Sequence, residues 1–157
     1  MINKINNWVD QTLEKFSDRK QSCDQFTFEF SGYYPSAFLS DSYFVVIDEI
    51  PKPNFPELYQ AGLGDFIAMD VAGITYKNTY FIKLFYEDDR ILHFHELVHV
   101  LQWKFLGAEG FIQRYIKEIQ LYGYQSAPLE KMAYNLQNHF NLKGGVIDIP
   151  EYVQQSL

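Results

Sequence analysis

The strongest constraint on this chain is the stretch His95-Glu96-Leu97-Val98-His99, set inside a helix that is apolar on more than one side. The pattern His-Glu-x-x-His places two imidazoles and a carboxylate over one spot when it is helical. With about 100° per residue, His99 lies about 40° from His95 and one turn along, so both rings can reach one metal ion. Glu96 lies about 100° round, beside that point without being forced to ligate. Two neutral nitrogen ligands, an open position and a nearby base are what metal-assisted hydrolysis requires. Leu92, Leu97, Val98, Leu101 and Phe105 spread apolar surface around the same helix, which predicts burial at the centre of the fold.

Two histidines leave a zinc ion short of protein ligands, since catalytic sites usually supply three. His93 falls about 200° from His95 and faces the wrong way, so it reads as structural or partly exposed. Glu130 is the favoured third ligand. It sits 31 residues after His99, in the first turn of a later helix that can cross the first. It could instead only complement the positive end of its own helix. Glu109 and Glu118, on the intervening helix, are the fallback ligands.

The chain has 157 residues, 47% hydrophobic and 21% charged, which suits one folded domain. Its net charge of −7 argues against a nucleic-acid partner, which wants a basic patch. The 14 Phe and 12 Tyr can fill a core or line a cleft. One cysteine, Cys23, excludes an internal disulfide and fits a reducing compartment. No signal-type N-terminus and no membrane-length apolar run are seen, so a cytoplasmic location is the expectation.

The order of elements predicts an α+β fold. Residues 1–20 hold an amphipathic helix built on Ile2, Ile5, Trp8, Val9, Leu13 and Phe16. Residues 26–84 form the sheet region, with strands expected at Phe26–Phe30, Tyr43–Ile47, Phe66–Met69 and Thr79–Leu84. Gly73–Tyr76 is a possible hairpin partner of the last strand, and an exposed edge there can pair with an extended peptide. Residues 88–142 carry the metal-site helices: Asp89 to Leu106, capped by Asp88 or Asp89 and stopped by Gly107, then Glu109 to Tyr122, then one opening at Ser126-Ala127-Pro128 with Ser126 as its cap. Residues 143–157 are a tail without a motif.

His95-Glu96-Leu97-Val98-His99-Val100-Leu101-Gln102, followed by a helical hairpin and Pro128-Leu129-Glu130-Lys131-Met132-Ala133-Tyr134, resembles the gluzincins, zinc metallopeptidases with two histidines on one helix and a glutamate on a later one. The chain is most similar to short, stand-alone zincin-like domains common in bacteria. The resemblance covers about residues 73–140, including the segment Gly73 to Ile82 that leads into the motif helix.

It implies a zincin-like fold, a small twisted, mostly antiparallel sheet packed on a central metal-bearing helix and further C-terminal helices. It implies one Zn2+ held by His95, His99 and Glu130, Glu96 as general base, and a peptide or protein substrate aligned by a sheet edge. Larger gluzincins often carry an aspartate four residues after the glutamate ligand, to orient a ligating histidine; here that residue is Tyr134. Family members stabilise the oxyanion with a His or Tyr, and Tyr122, Tyr124 and Tyr134 are the candidates. The competing expectations are a catalytically weak or inactive metal-binding module with the same fold, and a metal-free structural protein. The oligomeric state is left open by the sequence.

Overall fold

A computed structural model describes all residues 1–157. Helix α1 (Ile2–Lys15) buries Ile5, Val9 and Thr12. A four-stranded sheet follows in the order β1-β2-β4-β3, with β1 (Gln21–Ser22), β2 (Tyr43–Ile47), β3 (Gly73–Tyr76) and β4 (Thr79–Lys83). Short helices α2 (Ser36–Ser40), α3 (Pro56–Gln60) and α4 (Gly64–Ala68) lie in the connections. Helix α5 (Arg90–Tyr122) is broken at Gly107 and is followed by α6 (Pro128–Asn141) and α7 (Ile149–Ser156).

The fold is α+β as expected, but the sheet is mixed. β1 and β3 pair antiparallel with β2 and β4 respectively, whereas β2 and β4 run parallel from Tyr43↔Thr79 to Ile47↔Lys83. A parallel pair needs a crossover, and residues 48–78, carrying α3, α4 and β3, supply it. Gly73–Tyr76 does form a hairpin with β4, and β3 is an outer strand of the sheet.

Two expected strands are not strands. Phe26 is the last residue of a 3-10 turn (Cys23–Phe26), and residues 27–30 continue as turns. Phe26 and Phe30 are buried while Phe28 is 92% exposed, so the working spacing is four and not two. The amide of Phe30 donates to Phe26 O at 2.9 Å, as that spacing requires. The run Phe66–Met69 belongs mainly to α4, where Ile67 N donates to Leu63 O. Lys52 Nζ closes that short helix by donating to the carbonyls of Phe66 and Ile67. The tail, which carries no motif, holds α7, and that helix buries Ile149 and Val153.

The metal-motif helix lies between two cores. One is aromatic, with Phe30, Tyr34 and Phe94 beside Leu97 and Leu101, and Phe94 stacking on Phe140 at 4.5 Å. The other joins α1 to the sheet and the second arm of α5 through Val9, Phe81, Trp103 and Ile112. Tyr80 and Ile82 of β4 enter the first core and Phe81 the second, so the strand is covered on both faces. Burial from 93 to 103 is continuous, as the broad apolar surface predicts. No helix is long and apolar enough to cross a membrane.

Candidate metal centre

The carboxyl of Asp89 caps α5 by accepting from the amides of Ile91 and Leu92, which fixes where the helix begins and which way its residues face. On that helix His95 and His99 turn their Nε2 atoms towards each other, 3.1 Å apart. Glu130, in the first turn of α6, meets both. Its Oε1 lies 3.2 Å from His95 Nε2 and its Oε2 lies 3.1 Å from His99 Nε2. The ligating atoms of the three residues all fall within 4.8 Å of one another, and all three residues are buried. They are close enough together to bind one metal ion.

The opposite ring nitrogens are also held. His99 Nδ1 lies 2.7 Å from Gln102 Oε1, and Gln102 Nε2 donates to Leu129 O, which settles the amide's orientation. The Nδ1 of His99 therefore donates to the amide oxygen, which leaves Nε2 as the nitrogen that can ligate an ion once its own proton is released. His95 Nδ1 has the same relation to Gln137 Oε1, at 2.8 Å. Such partners fix tautomer and ring plane in metal sites. The donor set fits a divalent transition ion: two imidazoles, a carboxylate and neutral amides behind them.

Burial and proximity set the charges. Burial works to raise the Glu130 carboxyl, but the two imidazoles outweigh it and hold the group below the usual carboxylate range. Burial depresses His99, yet the Glu130 carboxylate, with Glu96 and Gln102, lifts its imidazole to about 9. Glu96, 4.0 Å from His95 Nε2 through Oε2, is pushed above its ordinary value by burial. Its main-chain carbonyl and Oε1 both accept from the Thr75 hydroxyl, at 3.2 and 3.4 Å, which ties it to β3. Gly73 makes this approach possible, since a Cβ there would meet Glu96 Cδ at 3.3 Å and Phe81 O at 3.1 Å.

The structure thus brings His95, Glu96, His99 and Glu130 together. The fallback glutamates go elsewhere. Glu109 is exposed, and Glu118 accepts from the amide of Leu129 at 2.8 Å while pairing with Arg114. Glu118 therefore does the work expected of Ser126, since the N-terminal residue of α6 is bounded by Ala127 without a side-chain cap of its own. Among the tyrosines, Tyr122 is 57% exposed, on the last turn of α5. Tyr134 lays its ring against His95 at 4.6 Å, and Tyr124 packs on Phe66 at 5.8 Å.

Three partners of the site have no counterpart in the sequence reading: Gln102, Gln137 and Tyr115. The Tyr115 hydroxyl donates to Glu130 Oε2 at 2.7 Å. Gln137 stands seven residues beyond Glu130, on the same face of α6, and Gln102 three beyond His99; that periodicity is the signal for both.

His93 is fully buried on the other side of the helix, not partly exposed. Its Nε2 donates to Glu87 O at 2.7 Å, so Nδ1 accepts from the Tyr80 hydroxyl at 2.5 Å. The Cys23 thiol donates in turn to Tyr80. Burial pushes that thiol up to about 12, which suits a structural residue and not a nucleophile.

Comparison with protein-family models, with curated proteins and with solved structures found no match.

Proposed function

We propose that this chain is a zinc-dependent metallopeptidase of the gluzincin type with a zincin-like fold. The observation that carries the reading is the convergence of His95 Nε2, His99 Nε2 and a Glu130 oxygen, with Glu96 beside them. His95, His99 and Glu130 are the residues that hold the ion. When bound, zinc supplies Lewis acidity, polarising a carbonyl and making neighbouring water more acidic.

The chain's own residues do the rest. Glu96 takes the proton from the attacking water and returns it to the leaving amine. Its raised proton affinity suits a group that must carry a proton between the two steps. The outer strand β3 supplies a place for an extended substrate. Lys83 N donates to Ala72 O, so alternate residues Gly73 and Thr75 turn their backbone groups away from β4. Thr75 O is taken by the Trp103 indole at 3.1 Å, which leaves Gly73 as the pairing point.

A second reading has one observation in its favour. His95, Glu96, His99 and Glu130 are each no more than 4% exposed, as suits an ion held for structure in an inactive module. One experiment separates the two. The purified protein is expected to carry stoichiometric zinc and to cleave members of a peptide library. Glu96→Gln should keep the metal and lose about 100- to 10,000-fold in turnover. His95→Ala, His99→Ala or Glu130→Ala should lose the metal. Zinc at full occupancy with no cleavage supports the inactive module, and no metal at all rejects both.

A further inference from the structure

Because His95, Glu96, His99 and Glu130 are all buried, a substrate reaches them only if part of the surrounding wall moves. A cavity of about 80 Å3 lies against Glu96, His99 and Glu130, and one of its walls is the crossover between β2 and β3. There Leu58 of α3, Leu63, and Phe66 and Ile67 of α4 face inward, while Glu57, Tyr59, Asp65 and Ala68 face solvent. A single layer of chain therefore separates the centre from water on this side. We propose that residues 52–71 are a lid, closed in this structure, that swings as a unit to admit a substrate to the metal centre. That use of the motion rests on the peptidase reading; the motion itself does not.

Local stability singles out this wall. Helices α3 and α4 have five residues each, and α4 buries none of them. Helices so short are not stable by themselves. Helix α1, which forms another wall, has 14 residues and buries three. Segments with few buried apolar contacts are the ones that open first. Both ends of the lid are pinned to the β3–β4 hairpin. The Tyr76 hydroxyl donates to Pro51 O at 2.7 Å, and Lys83 N donates to Ala72 O at 3.0 Å. Between those anchors Lys52 Nζ donates to the carbonyls of Phe66, Ile67 and Met69. That tie joins the start of the segment to its end, giving a compact loop with close ends that keeps its shape as it moves. Its hold on the body is lighter. Besides the burial of Leu58 and Leu63, it consists of an exposed Lys4–Glu57 ion pair at 3.2 Å, one hydrogen bond from Gln120 Nε2 to Ala61 O at 2.8 Å, and the Phe66 ring against Tyr115 and Tyr124. An exposed ion pair contributes little. Tyr115 in turn donates to Glu130, so the lid closes one residue away from the ligand set.

Two measurements on the zinc-free protein test the lid. Hydrogen exchange read by mass spectrometry should show the bonded amides of Ala61, Leu63 and Ile67 exchanging together, about 100-fold or more faster than those of β4. The second measurement is acylation of His99 by diethyl pyrocarbonate at pH 8, taken relative to His93, which lies outside the cavity on the other side of the helix. Gln120 is exposed and does not border the cavity, and its bond to Ala61 is made only while the lid is closed. Gln120→Ala should therefore raise lid exchange and the His99 ratio by the same factor, about 3- to 10-fold. Adding Glu57→Gln, which removes the Lys4 ion pair, should raise both again. Lid amides as protected as those of α1 overturn the proposal. So does faster lid exchange without faster acylation of His99, because the site then opens elsewhere, and so does a Gln120→Ala protein in which neither rate moves. Failure to take up zinc overturns the metal reading and leaves both measurements to decide on the motion. A lid that opens in a zinc-loaded protein that cleaves no peptide overturns the peptidase reading and, with it, the passage of a substrate.

Discussion

Gln102 and Gln137 contact the metal site only through the backs of its histidines, and that is where their effect on affinity is felt. Each amide oxygen accepts from an Nδ1–H, which holds the ring's orientation and leaves Nε2 as the nitrogen that would ligate an ion. Loss of such a partner typically weakens a metal site about 10- to 100-fold. Gln102→Ala and Gln137→Ala should each reduce zinc affinity in that range, measured by competition with a chromogenic chelator, while Gln120→Ala on the protein surface leaves it unchanged. His93 makes a prediction of a different kind. Burial depresses its pKa, so the folded protein keeps it neutral where the unfolded chain already takes a proton. Its contribution to stability is therefore fully present above about 6.5 and is lost as pH falls below that value. The urea midpoint of the wild-type protein should drop between pH 7.5 and pH 5.5 by more than that of His93→Gln. An equal drop in the two proteins assigns the acid sensitivity elsewhere.

At the level of elements, the break in α5 controls where α6 can lie. Gly107 takes φ 74° and ψ 164°, a region open essentially to glycine alone, and the helix resumes in a new direction behind it. That turn brings Tyr115 and Glu118 to the start of α6, where one holds Glu130 and the other caps Leu129 N. Gly107→Ala should cost about 1–3 kcal/mol. Thermal unfolding should register this as a fall of about 2–4 °C for each kcal/mol, and a midpoint within 1 °C of wild type, that is within about 0.5 kcal/mol, contradicts it. Elements of this kind were legible in the sequence because their signals are local: β-branched residues in β2, Asp89 ahead of α5, Gly107 as a stop and Pro128 in the first turn of α6. Phe26, Phe28 and Phe30 misled because two-residue alternation also contains a four-residue spacing, and only packing decides which rings turn inward. The parallel pairing of β2 with β4 has no local signature, since it joins residues 36 apart in sequence (79 − 43). The same holds for the site: His95, Glu96 and His99 declare themselves within five residues, and Glu130 by opening a helix, while the reach of Tyr115 and Glu118 depends on the fold.

For the whole molecule, the ligand set joins two helices that are otherwise connected through the second arm of α5. His95 and His99 come from one side and Glu130 from the other, so an ion held by all three ties α5 to α6 and must stabilise the folded state over the unfolded chain. At a free zinc concentration about 100 times Kd the gain is about 2.7 kcal/mol, or a rise of about 5–11 °C in a chain of this length. The gain should also depend on pH, with a definite sign. In the zinc-free protein, Glu130 lifts the His99 imidazole to about 9 against the effect of burial. A raised pKa contributes stability that is complete below the unfolded value near 6.5 and disappears as pH rises through about 9. Zinc needs the same imidazole without its proton, so over that interval its affinity grows as the zinc-free protein weakens. The difference in thermal midpoint between zinc-loaded and chelator-treated protein should therefore widen steadily from pH 6.5 through 7.5 to 8.5. Zinc uptake in weakly buffered solution near pH 7.5 should release close to one proton per ion. A gap that narrows over this interval, or uptake without proton release, means that Glu130 does not hold His99 protonated and that the electrostatic coupling between α5 and α6 is absent.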